Sequence, residues 1–132
     1  MSQLTDDKVE IIELTNRYAN AMDDDDLDTW LSTWAKNGLW EGGVGRFQGK
    51  EELSKLFETL GPRIKGKRHV MTNNVITLFS VTAEQTCYLL VFEAEEEPKL
   101  IATAVYKDKL EKIRGAWKFV HRSIKMDPSF KP

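Results

Sequence analysis

The sequence has a single cysteine, Cys87, among 132 residues. No intrachain disulfide can form, and no cysteine-rich metal site can be assembled. Cys87 sits in the apolar run Cys87-Tyr88-Leu89-Leu90-Val91, where a free thiol reads as a small buried hydrophobe. Long apolar stretches are missing too. None approaches the ~18 residues that a membrane span needs, and Met1 to Lys8 is polar and acidic, without the apolar centre of a signal peptide. The expectation is a cytoplasmic protein with no membrane partner. An excess of one charge is also absent: the formal net charge is −2, with both signs interspersed. The densest basic stretch, Arg63, Lys65, Lys67 and Arg68, is four charges in what reads as a connection, so the footprint of a nucleic-acid binder is lacking. The run Asp23-Asp24-Asp25-Asp26 lacks the spacing of an EF-hand loop, so no metal site is expected there. The glycine-rich stretch from Gly42 to Gly49 has neither Walker spacing nor the strand–helix setting of a dinucleotide fold.

Apolar residues make up 41% and charged residues 30%, the balance of a globular chain, and the length suits one domain over residues 1–132. Helical periodicity fills the first half. From Thr5 to Met22, the residues Val9, Ile11, Ile12, Leu14, Tyr18, Ala21 and Met22 recur at three- and four-residue spacings and predict an amphipathic helix, capped by Thr5 or Asp6. Leu27, Trp30, Leu31 and Trp34 predict a second, short helix with Asp26 as its cap and Gly38 as its stop. Leu39 to Phe47 reads as a hairpin. Lys50 to Leu60 reads as a third helix, ended by Gly61-Pro62. Beyond Lys67 the pattern predicts an antiparallel meander with strands near 69–79, 86–94, 100–113 and 117–126. Helices followed by strands argue for an α+β fold: a curved antiparallel sheet with N-terminal helices on one face, forming a cone-shaped half-barrel around a pocket. In the last strand, alternation puts Trp117, Phe119 and His121 on one face.

Several ordered pieces resemble one family. They are Tyr18-Ala19-Asn20-Ala21-Met22-Asp23, Asp26-Leu27-Asp28-Thr29-Trp30, Trp34-Ala35-Lys36-Asn37-Gly38 and Gly45-Arg46-Phe47-Gln48-Gly49. Arg68-His69-Val70-Met71-Thr72-Asn73 follows, then Gly115-Ala116-Trp117 with His121-Arg122. The set resembles SnoaL-like proteins of the nuclear transport factor 2-like, cystatin-like superfamily, over about residues 6 to 127. The resemblance implies the cone fold. For function it spans dehydratases, dehydrohalogenases, cyclases, isomerases, epoxide hydrolases, oxygenase small subunits and binding modules.

Within the dehydratase and dehydrohalogenase branches, an Asp after the first helix meets a His from the sheet, and the matching residues here are Asp23 and His69. A neutral imidazole near pH 7 can take a proton from carbon, and a carboxylate can fix its tautomer. Neither metal nor organic cofactor is required. Read alone, Asp23 equally suits a helix end, and His69 a structural role. In related lyases a Tyr at the position of Tyr18 polarises a substrate oxygen; otherwise Tyr18 is a core aromatic. It lies about 140° from Asp23 around a continuous helix, so the two share a site only if that helix ends or bends near Met22. Asn73, four residues along the strand from His69, is placed on the same face about 13 Å away. His121 matches a second histidine used by some dehydratases, while Arg122 anchors the sheet. Trp34 and Tyr88, with Trp30, Trp40 and Phe92, offer aromatic surface to a flat ligand, and aromatics at helical spacing also serve as core. Steroid-isomerase-like members place acids on the strands within an oxyanion pair; no such pair is assigned here, and Glu93 and Asp108 are the only candidates. The expected partner is a small molecule. Apolar residues on both faces of the strands also suggest a homodimer through the sheet. The reading is a lyase or isomerase using an Asp–His dyad on a small cyclic or aromatic carbonyl-type substrate. Its alternatives are a non-catalytic binding or assembly module and a small subunit of a larger oxygenase.

Overall fold

The computed structural model describes residues 2–130, apart from the Phe130 side chain; Met1, Lys131 and Pro132 lie outside the described residues. Helix α1 spans Gln3–Asp23. Its start is two residues earlier than the periodicity suggested, because Ser2 is the cap: its Oγ accepts from the Thr5 N–H at 3.2 Å. Ile11, Leu14, Tyr18, Ala21 and Met22 are buried along one stripe, while Val9 and Ile12 stay partly exposed and do not belong to it. Asp26 caps α2 (Leu27–Ser32) as expected, accepting from the Thr29 N–H at 3.1 Å.

Helix α2 then stops earlier than the spacing of Trp30 and Trp34 implied, and Trp34 opens strand β1 (Trp34–Gly42). The Thr33 hydroxyl donates to the Trp30 carbonyl, and the Phe119 N–H takes the Thr33 carbonyl, which hands the chain to the sheet. Gly38 is therefore no helix stop. A Cβ there would lie 2.5 Å from the Trp34 ring, so glycine is required by close approach. Strand β2 (Gly45–Gln48) completes the hairpin, and α3 (Gly49–Ile64) runs through Pro62 rather than ending at Gly61. Strands β3 (Lys67–Phe79), β4 (Thr82–Glu93), β5 (Leu100–Ile113) and β6 (Ala116–Met126) form the meander. β4 starts four residues before the expected point, because Ser80 takes a left-handed conformation (φ 67°) and turns the chain tightly.

The six strands make one curved, unclosed sheet in the order β2-β1-β6-β5-β4-β3. Every pairing is antiparallel except β1 with β6, which is parallel, so the sheet is mostly rather than wholly antiparallel. Two bulges alter which side chains face inward. In β3, Asn73 and Asn74 together oppose Cys87, and Asn73 is left-handed (φ 56°). In β6, Phe119 pairs with Leu110 and His121 with Lys109, leaving Val120 unpaired.

The helices close the concave side over Trp30, Trp34, Leu53, Phe57, Leu89, Tyr106 and Phe119. Aromatics of this size bury about 150–250 Å² each, which at roughly 25 cal/mol per Å² makes this layer the main source of cohesion. Near its start, α1 is pinned to the sheet. The Asp7 carboxylate accepts from the Trp117 indole N–H and the Lys112 ammonium, both at 3.0 Å, and Glu10 accepts from the Trp117 backbone at 2.8 Å. From that anchor the helix carries Asp23 about 24 Å to the other end of the cone. No helix among the described residues is long and apolar enough to cross a membrane.

Candidate active site

Asp23 is the last residue of α1, and His69 is the third residue of β3. Their side chains meet: Asp23 Oδ1 lies 2.6 Å from His69 Nδ1, and the His69 backbone N–H lies 3.1–3.2 Å from both carboxylate oxygens. Both side chains are more than nine-tenths buried. An ionised carboxylate only accepts, so the proton on this edge belongs to Nδ1 and the lone pair to Nε2. Nε2 has no hydrogen-bond partner among the described residues. The arrangement is an imidazole oriented through backbone and side chain, with Nε2 left without a protein partner.

Asp23 also lines a groove of about 900 Å³ between the end of α1, α2, α3 and the start of β3. Its floor is apolar (Met22, Leu27, Phe57, Ile64), and charged residues surround the rim. One margin is held by the turn after β4. Glu93 bonds to the Lys67 ammonium at 2.9 Å and accepts from the Glu95 and Glu96 backbones. These contacts hold its carboxyl down at about 2.

Tyr18 belongs elsewhere. α1 stays helical through Asp23, and the Tyr18 ring is 1% exposed in the interior, 5.4 Å from Trp30, 5.6 Å from Phe119 and 6.0 Å from Trp34. Burial pushes its phenol above the ordinary value, against the pull of Arg122. Trp34 is part of this same packed interior. The other expected ligand contacts face away from it. Asn73 is exposed because the β3 bulge turns it outward, and Asn74 points inward in its place, donating to Gln85 at 2.9 Å. Tyr88 is 48% exposed on the convex face of the sheet. The β6 bulge puts His121 on that convex face, bonded to Glu41 at 2.6 Å.

In exchange, Arg122 enters the interior, which simple alternation did not foresee. Its side chain and that of Asp108 are fully buried, with Nε to Oδ1 at 2.7 Å and Nη2 to Oδ2 at 3.0 Å. Gln85 bridges Asp108 to Thr15. The guanidinium lies over the rings of Tyr106 (3.8 Å), Phe119 (4.2 Å) and Tyr18 (4.4 Å). Burial works against its charge, and Asp108 with the two phenols more than offsets that, holding it above its usual value. Arg122 Nη1 and the indole nitrogens of Trp30 and Trp34 are buried without acceptors. Burial raises the Cys87 thiol to about 11, so it is not a nucleophile near neutrality.

Residues 3–123 match the family described as the SnoaL-like domain. The chain belongs to the SnoaL-like family. A SnoaL-like chain of the same shape is a protein of unknown function with a cystatin-like fold from Nostoc punctiforme. It is 34% identical with TM-score 0.91, and the alignment covers 98% of this chain and 96% of that one. The structure of LinA (22% identity, TM-score 0.82, 96% and 91% covered) shares the fold. So does a putative scytalone dehydratase from Novosphingobium aromaticivorans (19%, TM-score 0.80, 92% and 84% covered). No curated protein matches the sequence.

Proposed function

We propose that this SnoaL-like protein is a lyase or isomerase that moves a proton on a small cyclic or aromatic carbonyl-type substrate, without a metal or organic cofactor. The observation that carries the reading is the 2.6 Å Asp23–His69 pair with His69 Nε2 unpartnered. In the reaction, Nε2 takes the proton from a carbon beside the carbonyl, and the C–H electron pair becomes the new double bond. In a dehydration, the imidazolium returns that proton to the departing hydroxyl, which leaves as water; in an isomerisation the proton goes to another carbon. Asp23 keeps Nδ1 protonated and balances the imidazolium charge. The SnoaL-like family match and the shared fold of a putative scytalone dehydratase support the class. Tyr18, enclosed by Trp30, Trp34, Tyr106 and Phe119, has no part in this reading.

The test is turnover of a substrate found by screening cyclic ketones and hydroxyketones. His69→Ala and Asp23→Asn are expected to lower kcat by at least about 10²-fold, as loss of a general base does. Full activity in both variants would remove the dyad from the mechanism.

A second reading is a binding or assembly module, favoured by how fully aromatic side chains fill the interior. Under it, ligands bind and are released unchanged, and both variants bind as the parent does. For either reading we propose a cytoplasmic homodimer joined through the convex sheet face, where Val70, Val75, Tyr88 and Phe92 are exposed. Sedimentation at micromolar concentration tests it; a monomer there would reject it.

A further inference from the structure

We infer that Glu93 is a positioning residue for the Asp23–His69 pair, holding the first residues of β3 where the His69 backbone and ring both reach the Asp23 carboxylate. The inference rests on the dyad reading for the importance of that pair. It is tested on the geometry of His69 itself, which can be observed without any substrate.

The need for such a residue follows from where the pair is built. β3 is an edge strand, paired with β4 alone, and His69 is only its third residue. A strand end with one neighbour opens locally more readily than the middle of a sheet. That neighbour is itself weakly backed at this level. Val91, opposite His69, pairs with Ala102, whereas Phe92 pairs with Leu100, so Ile101 bulges out of the next ladder. Asp23 has a separate hold. The Asp24 and Asp26 amides donate to the Asn20 and Ala21 carbonyls, at 2.9 Å each, and fix the end of α1. The side of the pair that needs support is therefore the start of β3.

Glu93 gathers the chain at that point. It stands opposite Lys67, the first residue of β3, which shares a sheet face with His69 one alternation inward. One carboxylate oxygen accepts from the Lys67 ammonium at 2.9 Å. The other accepts from the Glu95 and Glu96 N–H groups at 3.0 and 3.2 Å. The turn so fixed comes back to the residue before β3. There the Ala94 N–H donates to the Gly66 carbonyl at 2.9 Å, and the Glu95 side chain lies over Gly66, where any Cβ would collide with it. The left-handed conformation of Gly66 (φ 75°) makes that closure possible. One carboxylate thus ties the first residue of β3 to a turn that is itself bonded to Gly66. Without it, α1 and the aromatic interior stay in place while the start of β3 drifts from Asp23.

The experiment is NMR of the full chain, comparing the parent with Glu93→Gln and Glu93→Ala. Glutamine keeps an acceptor oxygen for the turn and loses the charge opposite Lys67; alanine loses both. The His69 N–H is donated to both Asp23 oxygens, so its exchange with solvent reports the contact, and the ring tautomer reports the second bond. Glu93→Ala is expected to speed exchange of the His69 amide by at least about tenfold and to give a mixed tautomer population, with Glu93→Gln between it and the parent. Over the same series the Tyr106 and Leu110 amides, in the middle of the sheet, are expected to change by less than about threefold. Equal acceleration at His69 and at those central amides would make Glu93 a general stabiliser. His69 signals like the parent's in Glu93→Ala would show that Glu93 does not act on the pair. Either result overturns the inference. Neither bears on the dyad reading, which is judged by turnover in His69→Ala.

Discussion

Asp108 and Arg122 face each other across β5 and β6, joined by two bonds of 2.7 and 3.0 Å, with neither side chain reaching solvent. A buried pair of this kind adds little over apolar residues of equal volume, yet breaking it strands a charge.

Asp108→Ala is therefore expected to cost about 3–5 kcal/mol, read from urea unfolding, whereas Asp108→Leu combined with Arg122→Met is expected to cost clearly less. If the single and double variants lose the same stability, the pair is not acting as a desolvated unit.

Asp7 is expected to contribute to acid unfolding from the other end of the cone. Hydrogen bonds from Trp117 first, then Lys112, hold its carboxyl below the ordinary 3.8 despite burial. A depressed carboxyl contributes stability in full above the unfolded pKa and loses it as pH falls through the lower folded value. Asp7→Asn is expected to flatten the fall of melting temperature below about pH 4. At pH 7 the substitution also weakens the hold on the Trp117 indole, by about 1–3 kcal/mol. Thermal melts from pH 2 to 7 check both.

The tautomer of His69 is open to direct observation. Long-range ¹H–¹⁵N correlation of the imidazoles is expected to show His69 protonated on Nδ1 at pH 8, and a mixed population in Asp23→Asn, where the amide can turn either edge toward the ring. An Nε2-protonated ring in the parent would mean that Asp23 is not the acceptor seen at 2.6 Å.

Gly38→Ala is expected to destabilise by about 1–3 kcal/mol without any change in backbone preference, because the new methyl would sit 2.5 Å from the Trp34 ring. Combining it with Trp34→Leu should recover part of the loss; no recovery would place the strain elsewhere.

These contacts show what a sequence can and cannot disclose. α1, the Asp26 cap and the four long strands were legible because their periodicity and turn residues are local signals. The end of α2 was not, since Trp30 and Trp34 pack together equally well from a helix and from a helix–strand corner, 5.7 Å apart. The faces of Asn73, His121 and Arg122 were misassigned for one reason: alternation assumes unbroken pairing, and a bulge leaves no fixed composition behind it. The proximity of Asp23 and His69, 46 residues apart, came from resemblance to a family, not from any pattern within the chain. The Asp108–Arg122 pair had no local signal, because Lys107, Lys109, Glu111 and Lys112 on β5 and Lys118 and Lys125 on β6 are charged as well.

The unpaired Val120 has an evolutionary consequence. Closing the bulge with Val120 kept, so that β6 paired residue for residue, would bring an imidazole into the interior and send a guanidinium out to solvent, whereas loss of that one codon would leave both faces as they are. The lining of such a cone can thus be rewritten by a change in strand phase, with no amino acid replaced, and relatives differing by one residue in this strand should be compared by phase before they are compared by letter.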